Sequence, residues 1–216
     1  LGVRMRGFAG NRSPIRSVDG RTHRSLALLD RIGTVPALSF GGQKVQTNRE
    51  IARFLERVRP EPPLFPEDPA QREAVEEAEC WGDEVLQMAA RRIVLAAAVH
   101  GPDTFPGRGG RGRLGPLMSG NETLRLLTSR VAARTFHATP GRERELLGQL
   151  PSMLDTVDQW IAAGVLNGEQ LNAADLMIAP SLALLTYRSD VRPEVEARPL
   201  GALVDRVLPE PQPRVA

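Results

Sequence analysis

Aromatic side chains are scarce in this chain of 216 residues, at 4% of the total. A core without them must be built from aliphatic side chains, and that composition favours helices. Cysteine occurs once, at Cys80, which excludes an intrachain disulfide and gives no sign of secretion. The longest apolar run, residues 93–99, is too short to span a bilayer, and no signal peptide is visible. We therefore expect a cytoplasmic protein with no membrane partner.

Lysine is almost absent as well, since Lys44 is the only one and arginine supplies the remaining positive charge. The formal net charge is only +2, and the arginines are spread along the chain. Proteins that bind nucleic acids usually concentrate basic residues on one face, with aromatic side chains between them. The sequence therefore predicts no nucleic-acid partner.

The first part of the chain alternates between element types. Residues 35–40 and 43–46 have the composition of strands, and Gly41-Gly42 between them predicts a tight hairpin. Residues 47–58 follow as an amphipathic helix with helical spacing of its apolar positions. Upstream, we expect the end of a helix at 1–8, an edge strand at 13–18 and a helix at 22–32. The front domain, residues 1–59, is therefore predicted to be α/β.

A proline-rich segment separates this domain from the rest of the chain. The sequence RPEPPLFPEDP contains five prolines in eleven residues, which predicts a linker of limited flexibility at 60–69. No strand pattern follows it. We expect an all-helical domain at 70–208 and an irregular tail at 209–216. Its predicted helices lie at 70–99, 117–136, 143–163 with an interruption near Pro151, from Asn172 onward, and at 192–207.

Three local features of the sequence have backbone or side-chain groups that could bind a ligand or cap a helix. Val35-Pro36 begins a strand: a cis bond would present the backbone of Val35 to an extended ligand, whereas a trans bond, the commoner form, would merely begin the strand. Thr47-Asn48 opens a helix, and either residue can cap it, while the free N–H groups there can also hold a carboxylate. Asn172 and Asp175 have the spacing of a capping box, which is a folding feature.

Other reactive residue types have plainer explanations. Cys80 is expected to be a small buried side chain, with a reactive thiol as the alternative. Arg91-Arg92 is expected on a solvated helix face, with contact to an anionic substrate as the alternative. Trp160 is assigned to the core. His23, His100 and His137 are far apart in sequence, so no metal site is expected.

In their order along the chain, these features resemble the glutathione S-transferase family. The segment GTVPAL resembles the segment containing that family's cis-proline, and VQTNREIARFLE resembles its V-x-x-S-x-x-I-x-x-Y-L helix start. The segment PEPPLFPEDPAQR resembles its linker, and LNGEQLNAADLMIAPSL resembles its late helix with a buried capping box. The resemblance covers roughly residues 18–185, and the chain also looks like the divergent arginine-rich bacterial members of the family.

The resemblance implies a thioredoxin-like front domain, here lacking its first strand, followed by an all-α helical domain. It implies that Val35, ahead of Pro36, binds the cysteinyl part of glutathione. Thr47 and Asn48 would hold the γ-glutamyl carboxylate, although the family's usual acid or amide followed by serine is replaced here. The run GRGGRGRLG, which lacks the ending of a phosphate-binding loop, would lie near the pocket for the acceptor substrate.

The implied function is transfer of a glutathione or related thiol to an apolar electrophile, with glutathione as cosubstrate, no covalently bound cofactor and a homodimeric assembly. The alternative is a non-catalytic module of the same fold that binds small apolar ligands or a protein partner. The family's catalytic Ser, Tyr or Cys is expected before Leu1, so no catalytic residue is assigned within the chain. Ser13, Ser17 and Ser25 follow that position and are not candidates.

Overall fold

The structure is a computed structural model that describes residues 36–101, 104 and 122–209. The chain divides into two compact units, Leu1–Pro62 and Pro63–Ala216, and the division falls within the proline-rich segment. The elements predicted at 1–8, 13–18 and 22–32 lie outside the described residues, as do the run at 107–115 and the tail from residue 210.

The described elements are, in chain order, β1 (Ala37–Phe40), β2 (Gln43–Gln46), α1 (Asn48–Val58), α2 (Pro69–Trp81), a π-helical turn (Gly82–Leu86), α3 (Gln87–His100), α4 (Glu122–Thr135), α5 (Pro140–Ala162), α6 (Ala173–Leu185), α7 (Arg192–Glu196) and α8 (Pro199–Val207). Within residues 63–101, 104 and 122–209 no strand occurs.

In the front unit, β1 and β2 form the predicted hairpin. The strands are antiparallel, with Phe40 opposite Gln43 and Ala37 opposite Gln46. Gly41 and Gly42 have φ angles of +57° and +80°, which side chains disfavour and which a two-residue hairpin turn requires. The Phe40 ring meets the buried Phe54 of α1 edge-to-face, with centroids 6.3 Å apart. This contact fixes α1 on one face of the hairpin.

In the second unit, α6 lies at the centre of the core. Ten of its thirteen residues are buried, and it packs against α2, α3 and α8. The proline-rich segment joins this core, since Phe65 is 2% exposed and the carbonyl of Leu64 accepts the N–H of Ala173 at 2.9 Å. Because α6 is apolar on nearly all sides, it must be surrounded by other parts of the chain, and the proline-rich segment is one of them.

The single helix predicted over 70–99 is confirmed, since the chain is helical without a break from Pro69 to His100, but a π-helical turn that the sequence did not predict joins α2 to α3. Gly82 begins that turn, where the backbone closely approaches α6: a Cβ atom there would lie 2.8 Å from Cγ1 of Ile178. The wider turn places one more residue in the helix while α2 and α3 both stay packed against α6. Periodicity alone does not reveal such a turn.

Two predictions about helices that contain proline are wrong. The predicted interruption near Pro151 is absent, and α5 runs unbroken from Pro140 to Ala162. Pro151 is exposed, while the opposite face of α5 is held in the core by Leu146, Leu150, Leu154 and Val157. Conversely, the single helix predicted over 192–207 is two helices, α7 and α8. Pro199 begins α8, and Arg198 before it is extended, with φ −101° and ψ 161°.

Candidate functional site

The hairpin register places the start of β1 beside the end of β2. Ala37 lies opposite Gln46, so Pro36 and Thr47, which are the next residues outward, are at the same end of the hairpin. Helix α1 begins there with Asn48. The fold therefore brings together three of the four residues predicted to bind glutathione, which are separated by eleven to twelve positions in sequence.

Thr47 caps α1 and has an unusual backbone. Its φ of 66° and ψ of 150° lie where β-branched residues are rarely found, and its Oγ1 accepts the N–H of Glu50 at 3.3 Å. A conformation of this kind costs about 1–3 kcal/mol and occurs preferentially at ligand sites and turns. Of the two residues that sequence analysis allowed as the cap, Thr47 fills that position and Asn48 is the first helical residue.

The N-terminus of α1 has the chemistry expected for holding an anion. The first-turn N–H groups of a helix carry partial positive charge, and those not capped can donate to a carboxylate. Asn48, half-buried in this first turn, adds an amide side chain that can donate and accept. Val35 lies outside the described residues, and so does its bond to Pro36. The assignment of these four residues to glutathione stays a prediction.

A groove of about 490 Å³ is lined by β2 and α1 within the front unit. Among the described residues that line it, the cations are Lys44 on β2 and Arg53 and Arg57 on α1, the carboxylate is Glu50, and the apolar floor includes Phe54. Sequence analysis assigned no role to these residues. The spacing of residues 50, 53, 54 and 57 places them on one face of a helix, so the sequence alone could have predicted that they line a common surface.

At the start of α6, the structure shows both hydrogen bonds of a capping box. Asn172 Oδ1 accepts the N–H of Asp175 at 3.1 Å, and Asp175 Oδ2 accepts the N–H of Asn172 at 2.9 Å. Asp175 Oδ1 also accepts the N–H of Asn167 at 2.7 Å. Burial raises the pKa of Asp175, against these hydrogen bonds and Arg206, which lower it. The carboxylate thus fastens the preceding loop to α6 and serves the fold.

The other residues considered in the sequence analysis make contacts with neighbouring side chains or backbone within the second unit. Cys80 is half-buried and donates to Glu84 at 3.4 Å, and Trp160 packs edge-to-face on Trp81 with centroids 5.2 Å apart. The expectation that Arg91 and Arg92 lie on a solvated face is wrong. The Arg91 guanidinium lies 5.3 Å from the ring centroid of Phe136, and Arg92 Nε donates to the Phe136 carbonyl at 3.0 Å. Burial lowers the pKa of Arg91, against the charge of Asp83.

A metal-binding cluster and a membrane-spanning helix are both absent from residues 36–101, 104 and 122–209. In that part of the chain, no group of three or more His, Cys, Asp and Glu side chains could hold a metal ion. None of the helices there is both long enough and apolar enough to cross a membrane.

Comparison with known proteins shows likeness at the level of structure. No protein-family model matches the sequence, and no curated protein matches it. A GST-like protein from Pseudomonas syringae superimposes with a TM-score of 0.56 and 20% identity, over 90% of this chain and 55% of its own. A glutathione S-transferase from Rhodospirillum rubrum F11 superimposes with a TM-score of 0.51 and 20% identity, over 89% of this chain and 78% of its own.

These likenesses show the fold. The chain has a glutathione S-transferase-like fold, with a thioredoxin-like front part and a helical second part, and the fold class expected from the sequence is confirmed. It spans only about half the length of the Pseudomonas protein, at 55%.

Proposed function

We propose that this protein is a glutathione S-transferase-like enzyme that binds glutathione or a related thiol at the end of the hairpin and transfers it to an apolar electrophile. One observation carries the proposal: the register of β1 and β2 assembles Pro36, Thr47 and Asn48 at the N-terminus of α1. The shared fold supports it independently.

Each residue would have a defined role in binding. The backbone of Val35, next to Pro36, would pair with the cysteinyl part of the thiol as a neighbouring strand would. Asn48 and the first turn of α1 would hold the carboxylate at the other end of the ligand. The hydroxyl of Thr47 would join them in holding the carboxylate, and the strained backbone of this residue would set the direction from which α1 begins.

The reaction would be attack by the thiolate sulfur on an electrophilic carbon. The thiol proton is first released to water. In a substitution the carbon–sulfur bond forms as the leaving group departs with its bonding electron pair, and in an addition to a double bond the neighbouring carbon then takes up a proton from water. The protein would favour this step by lowering the pKa of the bound thiol and by holding both reactants together. No catalytic residue is assigned within the described ranges.

Calorimetric titration with glutathione, paired with a conjugation assay on an aromatic halide, tests this proposal. We expect binding by this chain and turnover by the natural full-length protein, because no catalytic residue is assigned within this chain. Replacing Asn48 with Ala should weaken glutathione binding, and unchanged affinity would refute its role. Binding without turnover would favour the alternative, a non-catalytic ligand-binding module, and absence of both would refute the proposal.

A matched pair of variants separates binding from helix stability. Thr47 and Thr139 both cap helices, and Thr139 Oγ1 accepts the N–H of Arg142 at 3.2 Å at the start of α5. Thr47→Ala and Thr139→Ala should each cost about 1 kcal/mol of stability. Only Thr47→Ala should weaken glutathione binding.

We also propose that the protein assembles as a homodimer, as the resemblance implies. Sedimentation velocity should then give a mass near twice the 23.6 kDa of one chain. A single species at the mass of one chain would refute this assembly.

A further inference from the structure

The groove between β2 and α1 is not used by the proposed thiol site. We call it the β2–α1 groove, and its volume of about 490 Å³ is within the range of about 300–1,000 Å³ that is usual for small-molecule sites. Pro36, Thr47 and Asn48 are not among the described residues that line it. Arg57, which does, lies in the last turn of α1, about 14 Å along the helix axis from Asn48. The groove therefore reaches the end of α1 that is remote from the thiol site.

Cations predominate in the described lining of the β2–α1 groove. Lys44 comes from β2, and Arg53 and Arg57 come from α1, against the single carboxylate of Glu50. Glu50 is three positions from Arg53 on the helix, a spacing that suits an ion pair. Within the residues that the structure describes, however, neither Glu50 nor Arg57 makes an ion pair. The carboxylate in the lining therefore does not neutralise the cations beside it.

The two arginines are placed so that they repel one another. Arg53 and Arg57 are one helical turn apart, and like charges at this spacing disfavour the helix. Arg53 Nη1 donates to the carbonyl of Arg49 at 3.3 Å, and the Arg57 guanidinium lies 5.9 Å from the ring centroid of the buried Phe54. These contacts hold both guanidinium groups against α1. An anion that bridges the two would relieve their repulsion.

We propose that the β2–α1 groove binds a triphosphate group, either as inorganic tripolyphosphate or as part of a nucleotide. Guanidinium groups bind phosphate oxygens through paired N–H donors, and a lysine ammonium binds them as a point charge. Arg53 and Arg57 would bind neighbouring phosphates from α1, and Lys44 would bind from β2. This binding is independent of the thiol site.

The placement of the cations favours phosphates over the carboxylates of an acidic peptide. In an extended peptide, side chains on one face are about 7 Å apart, because successive residues point to opposite faces. Neighbouring phosphates of a triphosphate are separated by one oxygen atom only. Three cations that line one groove therefore meet more negative charge in a triphosphate than in a peptide segment of the same length.

Calorimetric titration of this chain with sodium tripolyphosphate, and separately with ATP, tests the proposal at fixed ionic strength and without divalent cations. We expect one saturable site per chain and weaker binding of sulfate, which presents only one anionic group. Comparable affinity for the two probes would assign binding to the phosphates alone, and tighter binding of ATP would show that the groove also holds the nucleoside. Either result supports the site.

Substitutions in the lining should act in opposite directions. Arg57→Gln and Lys44→Gln should each raise the dissociation constant of tripolyphosphate roughly two- to fivefold, because each removes one exposed cation from the groove. Glu50→Gln should lower it, because the carboxylate in the lining no longer repels the ligand.

Arg59→Gln is the control, since Arg59 is exposed two residues beyond Arg57, carries the same charge and is not among the described residues that line the groove. It should leave the dissociation constant nearly unchanged. Urea unfolding of each variant establishes that the fold is retained. The proposal is overturned if tripolyphosphate shows no saturable binding, if sulfate or a hexaglutamate peptide binds as tightly, if Arg57→Gln and Arg59→Gln weaken binding equally, or if Glu50→Gln does not strengthen it.

Discussion

Thr47 has a backbone conformation that is costly for its own side chain. The φ of 66° places a β-branched residue where glycine is preferred, while its hydroxyl caps α1 through a long hydrogen bond of 3.3 Å. The strain of about 1–3 kcal/mol opposes a cap worth about 1 kcal/mol. The native residue is therefore not the one that stability alone would select.

This balance predicts that glycine at position 47 gives a more stable protein than alanine, which is the reverse of their usual order in a helical segment. Thr47→Ala keeps the strain and loses the cap, so it should destabilise the protein by about 1 kcal/mol. Thr47→Gly removes the strain and costs only a few tenths as a cap, plus roughly 0.5–1 kcal/mol of backbone entropy. In urea unfolding, the glycine variant should be the more stable of the two. An alanine variant of equal or greater stability would show that φ at this position is not strained.

At the scale of elements, α5 has two prolines in different roles. Pro140 is the first helical residue, where its missing N–H would have no intrahelical acceptor. Pro151 is in the middle, where it removes a hydrogen bond to the carbonyl four residues earlier. Both are exposed, so neither is needed to fill the core.

Replacing each proline with alanine should therefore give different results. Pro151→Ala restores a helix hydrogen bond and should raise the free energy of unfolding by about 1–3 kcal/mol. Pro140→Ala should change it by less than about 0.5 kcal/mol. The entropy of the unfolded chain changes similarly in both, so it largely cancels from the comparison. Equal effects in chemical denaturation would contradict this account of Pro151.

Local signals in the sequence predicted the elements that depend on neighbouring residues. Gly41-Gly42 predicted the hairpin, because only a few residue types accept its turn, and residues 172 and 175 predicted the start of α6. The π-helical turn at Gly82 and the unbroken α5 at Pro151 depend on packing against distant helices, which no short window contains. A groove between α3 and α5 was missed for the same reason, since Arg92 and Leu146, which line its two sides, are more than fifty residues apart in sequence.

At the scale of the whole molecule, a buried arginine ties separate elements of the second unit together. Arg188 follows α6 and is bonded to Glu143 of α5 and, at 2.6 Å, to Asp190 before α7. Its side chain is only 5% exposed, so the two carboxylates are needed to compensate its charge. The hydrogen bond from Arg188 lowers the pKa of Asp190, against burial, which raises it.

The stability conferred by Asp190 should therefore depend on pH. Because its folded pKa is below the ordinary value of 3.8, its contribution is complete above that pH and is lost as the pH falls through the folded pKa. Asp190→Asn should destabilise the protein at neutral pH, and the difference from the native chain should shrink in strong acid. Urea unfolding across this pH range measures it.

Two features ensure that the difference between the native chain and Asp190→Asn reports on Asp190 and not on other titrating groups. Asp175, whose pKa is shifted upward, changes stability in the opposite direction, but it is present in both proteins and cancels from the difference. Glu169→Gln, which also removes one negative charge but from an exposed side chain, controls for the change in net charge. A difference between the native chain and Asp190→Asn that is constant with pH would contradict the assigned pairing with Arg188.

The edge-to-face pair of Trp81 and Trp160 has a spectroscopic consequence. These are the only two tryptophans of the chain, and both belong to the second unit. Intrinsic tryptophan emission therefore originates in the second unit alone. In urea unfolding, a change in the emission spectrum or its lifetime marks the loss of this edge-to-face contact, and the loss of structure in the front unit has to be followed by a different signal.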